Sequence, residues 1–422
     1  MGMTLLMTTS SQRKKSTALL HERLARRAPA FQLSVWETVD RLVAGAGPDT
    51  IFFGNGTPSR ELIPFDEMRI ANQQAWEDIQ ATPGALDYGD AAGFPPLRDL
   101  IARRMAHVGV TVDRASVMLT NGSQQAIDFL CRLVLEPGDA IVVEGPTYLG
   151  ALQVFDAYEA EYITIPVDEH GLMVDLLRER LDALETMPKL IYTIPTFQNP
   201  TGVTMPLERR QALVELARER GILILEDDPY GELWVDGPPP PAIRSLDDHV
   251  AYLGTFSKTI APGIRSGWVV TPPGFMEMLT IMKEVAEIHG ERVMMRTLCH
   301  VVEDFLDQHL VKARDLYRTR RDAMLAGLGH HMPDGTTWSH PGGGFFVWLT
   351  LPEGLNAIEL LPKAVEQGVA YLAGEWFYPG YQEPAAQRNL RLNFSTLPEA
   401  RIEEGLRRLG GVVRAALDER AG

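Results

Sequence analysis

The chain has 422 residues, 45% hydrophobic and 23% charged, enough apolar material for a substantial core. Its formal net charge of −16 disfavours nucleic acid or an anionic membrane as main partner, although an acidic protein can still hold a locally positive anion site. Cys131 and Cys299 lie far apart in no metal spacing, which suits a reduced cytoplasmic setting, and no apolar run approaches the roughly eighteen residues of a membrane span.

Residues 1–30 read as a flexible tail whose Thr8–Ser16 stretch is basic and hydroxyl-rich but lacks the apolar core of a signal peptide. From about Phe65 to Pro273, short β-branched runs alternate with helical patterns. Strands are expected at Val117–Thr120, Ala140–Glu144, Glu161–Ile165, Leu190–Ile194, Gly221–Leu225, Ala251–Gly254 and Gly267–Val270. Helix-period segments such as Ser123–Leu135, Leu172–Leu184 and Leu207–Arg220 separate most of them. Strands that are apolar throughout, with helices between them, predict an α/β fold with a seven-stranded, mostly parallel sheet covered on both faces. Ligands of such sheets bind beyond the carboxyl ends of the strands.

After Pro273 the pattern is helical to about Leu328. The strand Gly344–Thr350, a helix near Asn356–Gln367, the strand Asn389–Phe394 and a helix from Pro398 follow. The expected division is a large domain over 65–309 and a smaller α+β domain formed by 31–64 and 310–422. The basic stretch Lys312–Arg321 reads as a solvated helix face and His330-His331 as exposed loop, with no metal-ligand spacing in either.

Three segments carry chemistry where strand-end binding wants them. Lys258, in Gly254-Thr-Phe-Ser-Lys258, follows a strand, with Ser257 before it and Arg265 seven residues later. A lysine so placed can hold an aldehyde cofactor as a Schiff base while its neighbours grip a phosphate. Asp227, in Glu226-Asp-Asp-Pro-Tyr230, ends a buried strand, where a carboxylate needs a partner such as a protonated pyridine nitrogen. Asp228 competes for that role; the spacing to Tyr230, which would reach the phenolic oxygen, favours Asp227. Asn199, in Gln198-Asn-Pro-Thr-Gly202, can donate to the same oxygen. Together these fit a pyridoxal phosphate (PLP) site.

Asn121-Gly-Ser123-Gln opens a helix whose free N–H groups favour a phosphate, although Ser123 also reads as an ordinary N-cap. Tyr148, just past the second strand, can stack on a flat ring or simply pack. Arg391, alone in the apolar strand Asn389-Leu-Arg-Leu-Asn-Phe394, suits a substrate α-carboxylate or a structural ion pair.

With these motifs in order, the chain resembles the fold-type I PLP enzymes of the aspartate aminotransferase superfamily, class I/II. Its likeness is to the subgroup with 2-aminoadipate, kynurenine and aromatic aminotransferases. The resemblance spans about Phe31 to Arg414 and adds Tyr-x-x-x-x-Gly at Tyr88–Gly93 and Pro-Thr-Tyr148. It implies Lys258, Asp227 and Tyr230 as the catalytic set. It also implies Ser123, Gln124, Tyr148, Asn199, Thr255, Ser257 and Arg265 around PLP, with Arg391, Asn199 and Gly56 at the substrate. Tyr88 matches a tyrosine that reaches the phosphate of a neighbouring subunit, which implies a homodimer with shared active sites.

The implied reaction moves an amino group from an amino acid to a 2-oxo acid. Other PLP chemistry on the same site (elimination, oxidation, decarboxylation) is the nearest alternative. An aminotransferase-like transcription regulator is a distant one, since only about thirty residues precede the matched region and the charge is acidic. Two departures bear on the substrate. Trp36 stands where relatives acting on acidic side chains often carry an arginine, which favours an aromatic or aliphatic donor. Trp376, in Ala373-Gly-Glu-Trp-Phe377 where the family usually reads Pro-Gly-x-x-Phe, is expected to narrow or reshape the pocket near the substrate.

Overall fold

The computed structural model describes residues 22–28, 37, 47 and 49–421. Trp36, most of the expected N-terminal tail and most of 31–47 lie outside the described residues.

All seven expected strands form, joined by a two-residue edge strand. They are β1 (Val117–Thr120), β2 (Ala140–Gly145), β3 (Glu161–Asp168), β4 (Gly171–Leu172), β5 (Leu190–Thr193), β6 (Leu223–Asp227), β7 (Ala251–Thr255) and β8 (Gly267–Val270). They make one eight-stranded sheet in the order β1-β8-β7-β6-β5-β2-β3-β4. Strands β7, β6, β5, β2 and β3 are parallel, whereas β8 runs antiparallel to both β1 and β7.

The apolarity of the central strands has a direct cause. On β2, Ile141 and Val143 pack on one side with the helices Ser123–Val134 and Leu149–Ala157. Val142 packs on the other side with Val174–Asp182 and Leu207–Arg220. Both faces are covered, so buried polar side chains such as Glu144, Thr193, Glu226 and Asp227 stand at the carboxyl ends of the strands.

The C-terminal residues build a separate antiparallel sheet: Thr337–Trp338, Phe346–Thr350, Asn389–Asn393 and Leu372–Ala373, in that order. The helices Leu306–His331, Ala357–Glu366 and Glu399–Ala421 pack with it. Ile51–Phe52 joins them as a parallel partner of Val369–Ala370. Among the described residues no helix is long and apolar enough to cross a membrane.

Two expectations fail here. His330 and His331 are the last turn of the helix Leu306–His331, and His331 Nε2 lies 2.6 Å from Glu403 Oε1. The basic stretch is not simply solvated. Arg314 lies 4.0 Å over the Trp234 ring and donates to Glu232 O, while buried Arg320 donates to Ser395 O. Arg321 pairs with Asp236 and donates to Pro341 O. Irregular loops cross this helix, and their carbonyls need donors that a long basic side chain can reach.

Candidate active site

The sequence-predicted side chains converge because parallel strands end at one edge and the reversed β8 starts there. Strands β1, β2, β5, β6 and β7 all present their carboxyl ends at one edge, and β8 begins there, so Arg265 just before it reaches the same place. A cavity of about 320 Å³ opens at that edge. Its lining includes Gly56, Ser123, Gln124, Tyr148, Asn199, Asp227, Tyr230, Thr255, Ser257, Lys258, Arg265 and Arg391.

One end of the cavity has groups that suit an anion. Gly122, at φ 76°, turns the chain from β1 into the helix Ser123–Val134 and leaves that helix's first N–H groups at the opening. Arg265, itself at φ 47°, donates from Nη2 to Asn121 O at 2.9 Å. A Cβ on Gly122 would come within 2.6 Å of that guanidinium. Gly267 lies in register with both Thr120 and Thr255, and its own Cβ would meet Gly122 C at 2.7 Å and Ser123 N at 2.8 Å. The helix start and the arginine approach so closely because Gly122 and Gly267 have no side chains. Thr255 Oγ1 and Ser257 Oγ, 2.9 Å apart, complete this end, and Gln124 is held by a bond to Gly150 O.

Asp227, the last residue of β6, and Asp228 just after it face opposite ways. Asp228 takes the Tyr252 hydroxyl at 2.9 Å and Gly231 N–H at 2.8 Å, away from the cavity. Asp227 lines the cavity. Its Oδ2 accepts the Tyr192 hydroxyl at 2.6 Å, while its buried Oδ1 has no hydrogen-bond partner. Burial raises its pKa to about 6, opposed by the Tyr192 hydrogen bond.

Lys258 Nζ donates to Gly56 O at 2.7 Å. Burial first, and then the nearby Arg391, lower its pKa to about 8, against an opposing pull from Asp227. Arg391 is 2% exposed and tightly held. Nη1 donates to Asn199 Oδ1 at 2.9 Å and Nη2 to Gly54 O at 2.7 Å, and the guanidinium lies 4.0 Å over Phe346 and 5.1 Å over Phe377. Burial lowers its pKa to about 10, so it stays charged at neutral pH with Nε unpartnered. With Oδ1 occupied, Asn199 has its amide N–H groups to offer the cavity. Tyr230 stands edge-on to Phe345 and Phe346, and Tyr148 folds over Gly150, with burial raising the phenol to about 12.

Two sequence-predicted residues are not brought to this cavity. Tyr88 is 81% exposed, edge-on to His289. Trp376 is buried in the short turn Gly374–Phe377 and does not line the cavity; Phe377 is the residue that meets Arg391. Conversely, sequence reasoning missed Tyr192, Phe346, Phe377 and Gly267. Each stands in or beside an apolar segment, where an aromatic ring or a glycine carries no local sign of what lies across the sheet.

The cavity thus unites an anion cradle, an unpartnered carboxylate oxygen, an amine of lowered basicity and a desolvated guanidinium. Residues 48–409 match the family described as aminotransferase class I and II. The aromatic-amino-acid aminotransferase 1 of Thermococcus litoralis is 43% identical over 373 residues, 87% of this chain and 88% of that protein. A kynurenine aminotransferase of Pyrococcus horikoshii, solved with PMP, superposes with a TM-score of 0.88 at 38% identity, covering 95% of this chain and 99% of the other. The α-aminoadipate aminotransferase of Thermus thermophilus, solved with a phosphopyridoxyl-leucine, gives 0.84 at 32%, covering 94% and 99%. The chain is therefore a member of the class I and II aminotransferases, fold-type I enzymes that transfer amino groups with pyridoxal phosphate.

Proposed function

We propose that this cavity takes an amino donor with a neutral, aromatic or aliphatic side chain and returns its amino group to a 2-oxo acid. The observation that carries the reading is the presence of Lys258, Asp227 Oδ1 and Arg391 in one cavity beside an anion cradle. PLP fits that set: the cradle suits its phosphate, the unpartnered Oδ1 its ring nitrogen, and the buried amine its aldehyde. When bound, it supplies an electron sink for the charge left at the substrate Cα.

The chain's own groups do the rest. Ser123, Gln124, Thr255, Ser257 and Arg265 would hold the phosphate. Asp227 would keep the ring nitrogen protonated, Tyr230 and Asn199 would donate to the phenolic oxygen, and Tyr148 would cover the ring. Arg391 would grip the α-carboxylate, its rigid mounting fixing the orientation of the substrate. Lys258 Nζ would serve as the base for the Cα proton. The backbone at Gly56 covers the substrate.

The donor class follows from charge. Among the described lining residues the cations are Lys258, Arg265 and Arg391, each already assigned, so none remains for a distal carboxylate. The aromatic-amino-acid name of the Thermococcus litoralis relative and the Trp36 position support the same reading.

A homodimer with shared sites is also supported. Met278, Ile281, Val285 and Ile288 expose 46%, 54%, 71% and 53% of their surface along one helix and its end, with Leu86 and Tyr88 also exposed. Exposed apolar groups of this size commonly mark an interface. Two free thiols, with no disulfide, agree with a reducing cytoplasm.

The test is a donor panel against PLP-loaded protein, following loss of the cofactor's visible absorbance. Phenylalanine, tyrosine and leucine should convert it faster than aspartate or 2-aminoadipate. The reverse ranking rejects the neutral donor class.

A further inference from the structure

Tyr192 has no role in the residue set above, yet its hydroxyl is the group that meets Asp227. It lies on β5 in register with Leu225 of β6, so Asp227, two residues on, projects from the same face of the sheet. Tyr192 is fully buried, with its ring edge-on to Phe155 at 5.4 Å. Its hydroxyl, 2.6 Å from Asp227 Oδ2, makes no other hydrogen bond. Burial and the neighbouring carboxylate hold the phenol well above its ordinary pKa, so it remains a proton donor.

The geometry assigns each oxygen of Asp227 a separate task. No other described side chain donates to this carboxylate, and no arginine or lysine is paired with it. One oxygen is pinned from within the sheet, and the other faces the cavity unpartnered. A hydrogen-bond donor on the far oxygen favours the rotamer that keeps the bond, withdraws charge from the carboxylate and lowers its basicity.

We propose that Tyr192 is a positioning residue for amino transfer. It fixes the Asp227 rotamer and weakens that carboxylate as a base, so that a shared proton resides on the PLP ring nitrogen and not on Oδ1. This rests on the reading of Asp227 as the ring-nitrogen partner.

Tyr192→Phe keeps the ring packing and removes the hydroxyl alone. With isotope-labelled PLP, the NMR shift of the ring nitrogen should move from the pyridinium value toward neutral pyridine at fixed pH. The turnover number should fall about tenfold or more, the scale for losing a hydrogen bond to a charged group. The KM for the amino donor should change far less, because Arg391 is untouched. A merely structural tyrosine would alter melting temperature but leave the nitrogen shift in place.

Asp227→Asn, measured alongside, separates the two ideas. If it too leaves the nitrogen protonated, the Asp227 reading fails; if only Asp227→Asn moves the signal, the Tyr192 proposal alone is overturned. Should Tyr192→Phe not fold, a 4-aminophenylalanine at 192 retains the ring with a weaker donor in place of the hydroxyl. It should move the signal toward neutral pyridine, and an unmoved signal overturns the proposal.

Discussion

Arg391 Nη1 donates to Asn199 Oδ1 at 2.9 Å, joining the middle of the C-terminal antiparallel sheet to the loop after β5 of the central sheet. The bond orients both partners: it aims the guanidinium and leaves Asn199 as a donor toward the cavity. Arg391→Gln should therefore lower kcat/KM for amino donors by about a hundredfold or more. That is the scale of the roughly 3 kcal/mol lost when one partner of a buried charged pair is removed. Steady-state kinetics should show most of the loss in KM, and a variant with native KM would remove Arg391 from substrate binding.

The lowered basicity of Lys258 can be read directly in PLP-free protein. Its pKa lies at about 8 instead of the ordinary lysine value, so the neutral amine predominates as pH rises above about 8. Competitive acetylation followed by peptide mass spectrometry should place its half-maximal reactivity near that pH. Arg391→Gln should shift the midpoint upward, because the arginine's charge disfavours the ammonium. An ordinary lysine midpoint in the native protein would show that the amine is not desolvated.

Gly267→Ala tests how closely the anion cradle is built. The new methyl would press on Gly122 C and Ser123 N, backbone atoms that cannot swing aside. Overpacking of this kind costs about 1–3 kcal/mol, which urea denaturation of the PLP-free protein would register. PLP should also dissociate more readily on dialysis. Unchanged stability together with unchanged PLP retention would mean that the contact is easily relieved.

Val285, 71% exposed on the helix Met276–Glu287, is the most open side chain of the apolar group there. Val285→Glu should convert a dimer to monomer in sedimentation velocity and abolish activity at low protein concentration. A species of unchanged mass would place the self-association surface elsewhere.

Much of the large sheet was legible because each strand announces itself as a short apolar run between helical periods. The cavity residues were legible for a related reason: at the carboxyl end of a buried strand, a charged or hydroxyl side chain is conspicuous. Asp227, Lys258 and Arg391 are polar groups in apolar surroundings. The choice between Asp227 and Asp228 rested on the spacing to Tyr230. The structure adds a physical ground, because neighbouring strand residues point to opposite faces and only Asp227 faces the cavity. The basic stretch Lys312–Arg321 misled for the converse reason. Charge on a helix implies solvent unless loop carbonyls lie against it, and nothing within the helix itself reveals those loops.

The sequence by itself determined the chemical inventory: a lysine, a carboxylate and a glycine-led helix start attached to strand ends, and an arginine within an apolar strand. Local rules suffice there, because strand periodicity and the cost of burying charge operate over a few neighbouring residues. Tertiary structure alone decided how those groups are aimed. Reversal of β8 brings Arg265 to the cradle, Tyr192 across the sheet leaves Asp227 with one free oxygen, and Phe346 and Phe377 seat Arg391. Such contacts join residues from separate strands and turns, and their distances are set by packing of the whole sheet. No local pattern encodes them.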